Sequence, residues 1–139
     1  MQPVRLARRT HPVWWLFPAA IAAIALYPHA TLAATKAITN ADKGSTIHLK
    51  AGDALEVRLQ STPSTGYLWY VHPKSTPLLK LNGQTQTGPA QSGASRPIYQ
   101  VFTFKTGKRG EGILLLRSVR SWEKPAANET QFSVHVYIE

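Results

Sequence analysis

The side chains that could transfer a proton, attack a carbonyl or hold a metal are thinly spread along this sequence. Of five histidines, His11 and His29 lie in an apolar N-terminal region, while His48, His72 and His135 fall on three separate expected strands. No H-x-x-x-H or H-E-x-x-H pattern and no carboxylate-rich loop accompanies them, so the spacing that marks a zinc site is missing. There are no cysteines, which removes thiolate nucleophiles, disulfides and thiolate zinc sites at once. The nucleophile elbow G-x-S-x-G is absent, and the seven acidic residues are dispersed, with no pair placed for acid–base work. The histidines are therefore read as strand-surface residues, and the protein as a non-enzyme with no metal and no cofactor.

One stretch specifies a shape rather than a reaction: Ser61-Thr62-Pro63-Ser64-Thr65-Gly66-Tyr67-Leu68-Trp69. Pro63 fixes its own φ, and Gly66 suits a position with positive φ. Ser64 and Thr65 can hydrogen-bond locally and stiffen the turn. A loop ordered in advance loses little entropy on docking. Two further connections are long and polar, 82–97 (NGQTQTGPAQSGASRP) and 120–130 (RSWEKPAANET). Loops of this kind on a rigid scaffold are where binding resides.

The elements that must position these loops read as strands. Residues 46–49 (TIHL) lead through a Lys50–Asp53 turn to 54–59, where Leu55, Val57 and Leu59 alternate with Glu56 and Arg58. Residues 67–72 are aromatic-rich, 99–105 place Phe102 and Phe104 on one face, and 112–119 open with an apolar run suited to a central strand. Residues 131–138 alternate again, with Phe132, Val134, Val136 and Ile138 facing inward. No window carries a sustained 3.6-residue period with caps. Six or so short strands spaced by Gly, Pro and Ser turns predict an all-β sandwich or barrel.

The N-terminus reads as a targeting segment. Arg5, Arg8 and Arg9 precede an apolar run over 13–26, and Thr31-Leu32-Ala33-Ala34 closes it with mostly small residues. The run is too short for a spanning helix, which needs about 20 apolar residues, and Pro18 interrupts it. The expectation is a signal peptide over 1–34 cut after Ala33 or Ala34, then a mobile segment over 35–45 and a domain over 46–139. The product is exported, periplasmic or secreted, with no stable membrane insertion; an uncleaved anchor is the alternative. Residues 1–34 hold three of the sixteen Lys and Arg and none of the seven Asp and Glu, so the remainder keeps a net charge of +6. Those charges are scattered rather than clustered with aromatics, which argues against a nucleic-acid partner.

The stretch 62–67 resembles the N-P-T-T-G-Y motif of the chagasin family, inhibitors of papain-like cysteine proteases. Pro63, Thr65, Gly66 and Tyr67 match, Ser64 is a mild change, and Thr62 stands where the family has Asn. The family's G-x-G-G motif falls at Gly93-Ala94-Ser95-Arg96, where only the first Gly matches. Its R-P-W motif is similar to Arg120-Ser121-Trp122, with Ser121 in place of Pro. The resemblance covers roughly 44–139. It implies an immunoglobulin-like β-sandwich of about seven short strands, with the three loops gathered at one end as a wedge. The wedge would occlude the cleft of a papain-like cysteine protease as a reversible, tight-binding monomer. It further implies Thr65 at the protease catalytic centre, Trp122 as the chief anchor, Arg120 pairing with the protease or orienting Trp122, and Trp69 in the core. Thr62 lacks the amide that Asn would use to tie the loop, so a looser loop is expected. The competing reading is an exported immunoglobulin-like module whose loop Trp and Tyr stack on a peptide, glycan or envelope component.

Overall fold

Leu55, Val57 and Leu59 leave their strand on one side and Glu56 and Arg58 on the other, and this period-two alternation organises the molecule. The computed structural model describes residues 32–88, 98–124, 126 and 129–139. Eight strands form two four-stranded sheets: β1 Thr35–Thr39, β2 Thr46–Leu49, β3 Ala54–Ser61, β4 Tyr67–Val71, β5 Leu79–Thr87, β6 Ile98–Thr106, β7 Gly110–Arg120 and β8 Thr130–Ile138. One sheet has the order β1-β3-β6-β5 and the other β2-β8-β7-β4. The expected immunoglobulin-like sandwich is thus observed, with eight strands rather than about seven.

The inner faces meet in one apolar core. Leu55, Val57, Leu59, Phe102 and Phe104 come from the first sheet, and Leu114, Leu116, Phe132, Val134 and Val136 from the second. Register places Val57 beside Phe102 and Leu114 beside Val134, so each layer of the core is built from neighbouring strands. β7 is central in its sheet as the apolar run predicts. The run nevertheless alternates, with Leu114 and Leu116 buried and Ile113 exposed on the outer face.

Two expectations are corrected. Residues 35–45, read as a mobile lead-in, are held in place. β1 runs parallel to β3 with Ile38 opposite Val57 and buried. Asn40–Asp42 then form a 3₁₀ turn in which Asp42 Oδ2 accepts from Thr39 N at 2.8 Å, and Asn40 Oδ1 accepts from Gln60 N at 2.8 Å. The polar stretch 82–97, read as a loop, begins instead as strand: β5 continues to Thr87 on the sheet edge, with a register shift between Leu81 and Gly83.

Candidate functional site

β3 belongs to one sheet and β4 to the other, so residues 62–66 carry the chain across the end of the sandwich. The root of that crossing is bolted to both sheets. Trp69, 6% exposed, donates its indole Nε1–H to Gln60 O at 2.8 Å. Its backbone N–H donates to Gln100 Oε1 at 2.7 Å, and Gln100 Nε2 returns a bond to Trp69 O at 3.3 Å. Gln100 is itself buried, so this amide on β6 satisfies both backbone groups of Trp69 on β4 inside an apolar core. Trp69 is core, as expected.

The loop closes on its own hydrogen bonds. Thr62 and Tyr67 form an isolated antiparallel bridge, and Pro63–Thr65 make one 3₁₀ turn with Pro63 at its start. Thr65 N donates to Thr62 O at 3.0 Å and Gly66 N to Pro63 O at 2.9 Å. Gly66 ends the turn at φ +82°, a left-handed position that favours glycine. The Thr65 hydroxyl makes the local bond its type allows: it donates to Thr62 O at 2.7 Å and lies 3.2 Å from Thr62 Oγ1. This bond supplies an internal tie to a loop that lacks the Asn amide at position 62.

Arg120 links this loop to the next. It ends β7 directly opposite Tyr67 in register, and its guanidinium carbon sits 4.4 Å from the centre of the Tyr67 ring, a cation–π distance. Arg120 Nε donates to Thr65 O at 2.9 Å and Nη1 to Glu123 Oε1 at 2.8 Å. The Glu123 bond also raises the Arg120 pKa, by favouring the charged guanidinium. One planar fork therefore holds a loop carbonyl and a carboxylate at once, a geometry Lys lacks.

Trp122 completes the cluster. Its six-membered ring lies against Gly66, so closely that a Cβ built there would overlap Cη2 and sit 2.8 Å from Cζ2. The side chain nevertheless stays 70% exposed. An indole anchored at one edge and bare elsewhere offers a large rigid contact surface.

Thr62, Pro63, Ser64, Thr65, Gly66, Tyr67, Arg120 and Trp122 thus gather at one end of the sandwich, with Ser121 in the turn between Arg120 and Trp122. Gly93, Ala94, Ser95 and Arg96 lie outside the described residues. Sequence reasoning missed Glu123 and Gln100. Glu123 could have been found from its three-residue spacing after Arg120; Gln100 shares the strand face of Phe102 and Phe104, so alternation points it inward, but nothing in its type names the Trp69 backbone as its partner. His48 stacks on Tyr137 with ring centres 5.5 Å apart, and His72 Nδ1 accepts from Lys74 N at 3.0 Å. Among the described residues no cluster of ligating side chains suits a metal.

The model for the chagasin family peptidase inhibitor I42 matches residues 48–136. Over 101 residues the chain is 28% identical to amoebiasin-2 of Entamoeba histolytica, an alignment covering 72% of this chain and 82% of that protein. The crystal structure of the cysteine protease inhibitor EhICP2 from the same organism superposes with a TM-score of 0.64 at 25% identity, covering 81% of this chain and 100% of that one. PbICP-C, solved in complex with falcipain-2, shares the fold with a TM-score of 0.53 at 16% identity, covering 77% of this chain and 91% of its own. A family match over most of the sandwich, with the first and third loop segments meeting at one end of it, leads to one assignment: the chain belongs to the chagasin family, whose members are peptidase inhibitors and not enzymes.

Proposed function

We propose that this protein is an exported, monomeric inhibitor of papain-like cysteine proteases that acts reversibly by filling the active-site cleft with its loop cluster. The observation that carries the reading is the coupling of two loops into one exposed tip, through Arg120 on Thr65 O and Trp122 on Gly66. Because these contacts exist before any partner arrives, docking orders few new torsions and more of the contact free energy appears as affinity. The relatives support the choice of partner: EhICP2 is a cysteine protease inhibitor, and PbICP-C was solved with falcipain-2 bound.

The same hydrogen bonds explain why a protease would hold the loop without cutting it. Thr62 O accepts from Thr65, Pro63 O from Gly66 N, and Thr65 O from Arg120 Nε. These carbonyls are already engaged and the backbone around them is turned, not extended. The turned backbone at Thr62, Pro63 and Thr65 differs from the extended strand a protease cleft presents for attack, which is the basis for binding without cleavage. Thr62, Pro63, Ser64, Thr65, Gly66 and Tyr67 form the central part of the wedge. Arg120, Ser121 and Trp122 form one flank, and Gly93, Ala94, Ser95 and Arg96 are assigned to the other on the motif order alone. Titration of a fixed amount of active papain with the protein tests the reading: activity should fall linearly to an equivalence point near one to one, and full activity at micromolar protein would overturn it.

A further inference from the structure

The start of the sandwich is defined at one residue. Ala34 O accepts from Ala54 N at 2.8 Å, continuing the ladder in which Thr35 pairs with Ala54. Ala34 N donates to Asp53 Oδ1 at 3.0 Å, and the other oxygen of that carboxylate accepts from Lys50 N at 2.9 Å. The residue two positions upstream, Leu32, is 91% exposed. Ala34 is therefore gripped through both of its backbone polar groups while Leu32 and Ala33 before it are exposed.

The sequence places a processing signal on the same spot. A signal peptidase selects small residues at the first and third positions before the cut. Thr31-Leu32-Ala33 offers Ala33 and Thr31 at those positions, whereas a cut one residue later would put Leu32 at the third. Cutting after Ala34 would also delete both bonds that Ala34 makes. Cutting after Ala33 keeps both and turns the Ala34 nitrogen into an ammonium.

We propose that the mature protein begins at Ala34, released by hydrolysis of the Ala33–Ala34 bond, and that the new α-ammonium is captured by Asp53. Water adds across the peptide bond: Ala33 leaves as a carboxylate on the released segment, and Ala34 retains the nitrogen, protonated at neutral pH. The N–H···O bond at Asp53 becomes a charge-assisted one, which is shorter and stronger. Asp53 suits this partner, since the Lys50 and Ala34 N–H groups already hold its carboxyl below its ordinary pKa. Lys50, on the same turn, is the other cation facing it. The eight residues of β3 separate this junction from the loop tip, roughly 25 Å of strand, so processing leaves the tip untouched. The inference rests on the export part of the proposed function and is independent of inhibition.

The test is to express the full chain with its own N-terminal segment in a bacterial host and measure the intact mass of the exported protein. A chain starting at Ala34 is expected; a start at Thr35, at any other residue, or an uncut chain overturns the site. Ala33→Leu should abolish that product, whereas Ala34→Val should still be cut at the same bond, and the reverse pattern also overturns it. For the capture, selective acetylation of the α-amine keeps the N–H but removes its charge. This should lower the Tm of the processed protein by about 1–4 °C, a difference that disappears in Asp53→Asn. An unchanged Tm on acetylation sinks the capture. Papain titration of the same samples reads inhibition separately, so loss of one conclusion is not mistaken for loss of the other.

Discussion

Trp122 occupies the space into which any side chain at Gly66 would grow. The left-handed φ of Gly66 favours glycine there, and its missing Cβ leaves the space that the tryptophan of the other loop closes over. Gly66→Ala is expected to displace Trp122 and raise the inhibition constant about tenfold or more, with little change in global fold. Gly44 is the control, since it has a similar φ of +80° but no atom within 4 Å of where a Cβ would stand. Gly44→Ala should cost about 1 kcal/mol of stability through backbone strain and leave inhibition unchanged. Inhibition constants and Tm values for the pair separate the two effects.

The Arg120 fork predicts a graded series. Arg120→Ala removes the bond to Thr65 O, the contact with Tyr67 and the bond to Glu123 together, and should weaken inhibition about tenfold or more. Arg120→Lys keeps the charge but cannot span both acceptors, and should fall between Ala and the parent. Glu123→Ala leaves Arg120 on Thr65 and should weaken inhibition only about two- to fivefold. Steady-state inhibition of papain by the three variants checks the order.

Gln100 is a stability residue. Gln100→Leu fills similar volume but strands the buried N–H and C=O of Trp69, a cost of about 2–4 kcal/mol. In a domain of this size that lowers the Tm by roughly 10 °C or more, and urea unfolding should show a lower midpoint with an unchanged slope.

Asp53 predicts an acid limb. Its folded pKa is depressed below 3.8, first by the Lys50 N–H and then by the Ala34 N–H. Its stabilising contribution is therefore fully present above the ordinary carboxylate pKa and is lost as pH falls through the lower folded value. Tm measured from neutral pH downward should drop below about pH 4, and Asp53→Asn should flatten that drop while lowering Tm at neutral pH.

Much of the sandwich was legible because burial and period coincide. Leu55, Val57, Leu59, Phe102, Phe104, Phe132, Val134, Val136 and Ile138 all face inward where alternation put them. β1 and β5 were not legible. β1 buries a single side chain, Ile38, and β5 only Leu79. Both are edge strands held by backbone hydrogen bonds, and a ladder of N–H and C=O groups leaves no trace in side-chain type. At the site, Pro63 and Gly66 were legible because a fixed φ and a positive φ restrict residue choice, and Trp122 was legible only through its resemblance to the family's R-P-W motif. The local bond of the Thr65 hydroxyl was within reach of its residue type, whereas the Arg120 link to Thr65 O was not, since a backbone carbonyl 55 positions away leaves no mark on residue choice. The Gln100 clasp was hidden for a related reason: its partners lie on another sheet, 31 positions away in the chain.

The central claim is that a tip assembled in advance from Gly66 and Trp122 blocks a thiol protease. The most direct measurement is active-site titration of papain with the mature protein beside its Trp122→Ala variant. The account predicts stoichiometric loss of activity for the parent and, for the variant, an inhibition constant weaker by about thirtyfold, roughly 2 kcal/mol, at unchanged Tm. A parent that leaves papain active, or a variant that inhibits as tightly as the parent, would contradict it.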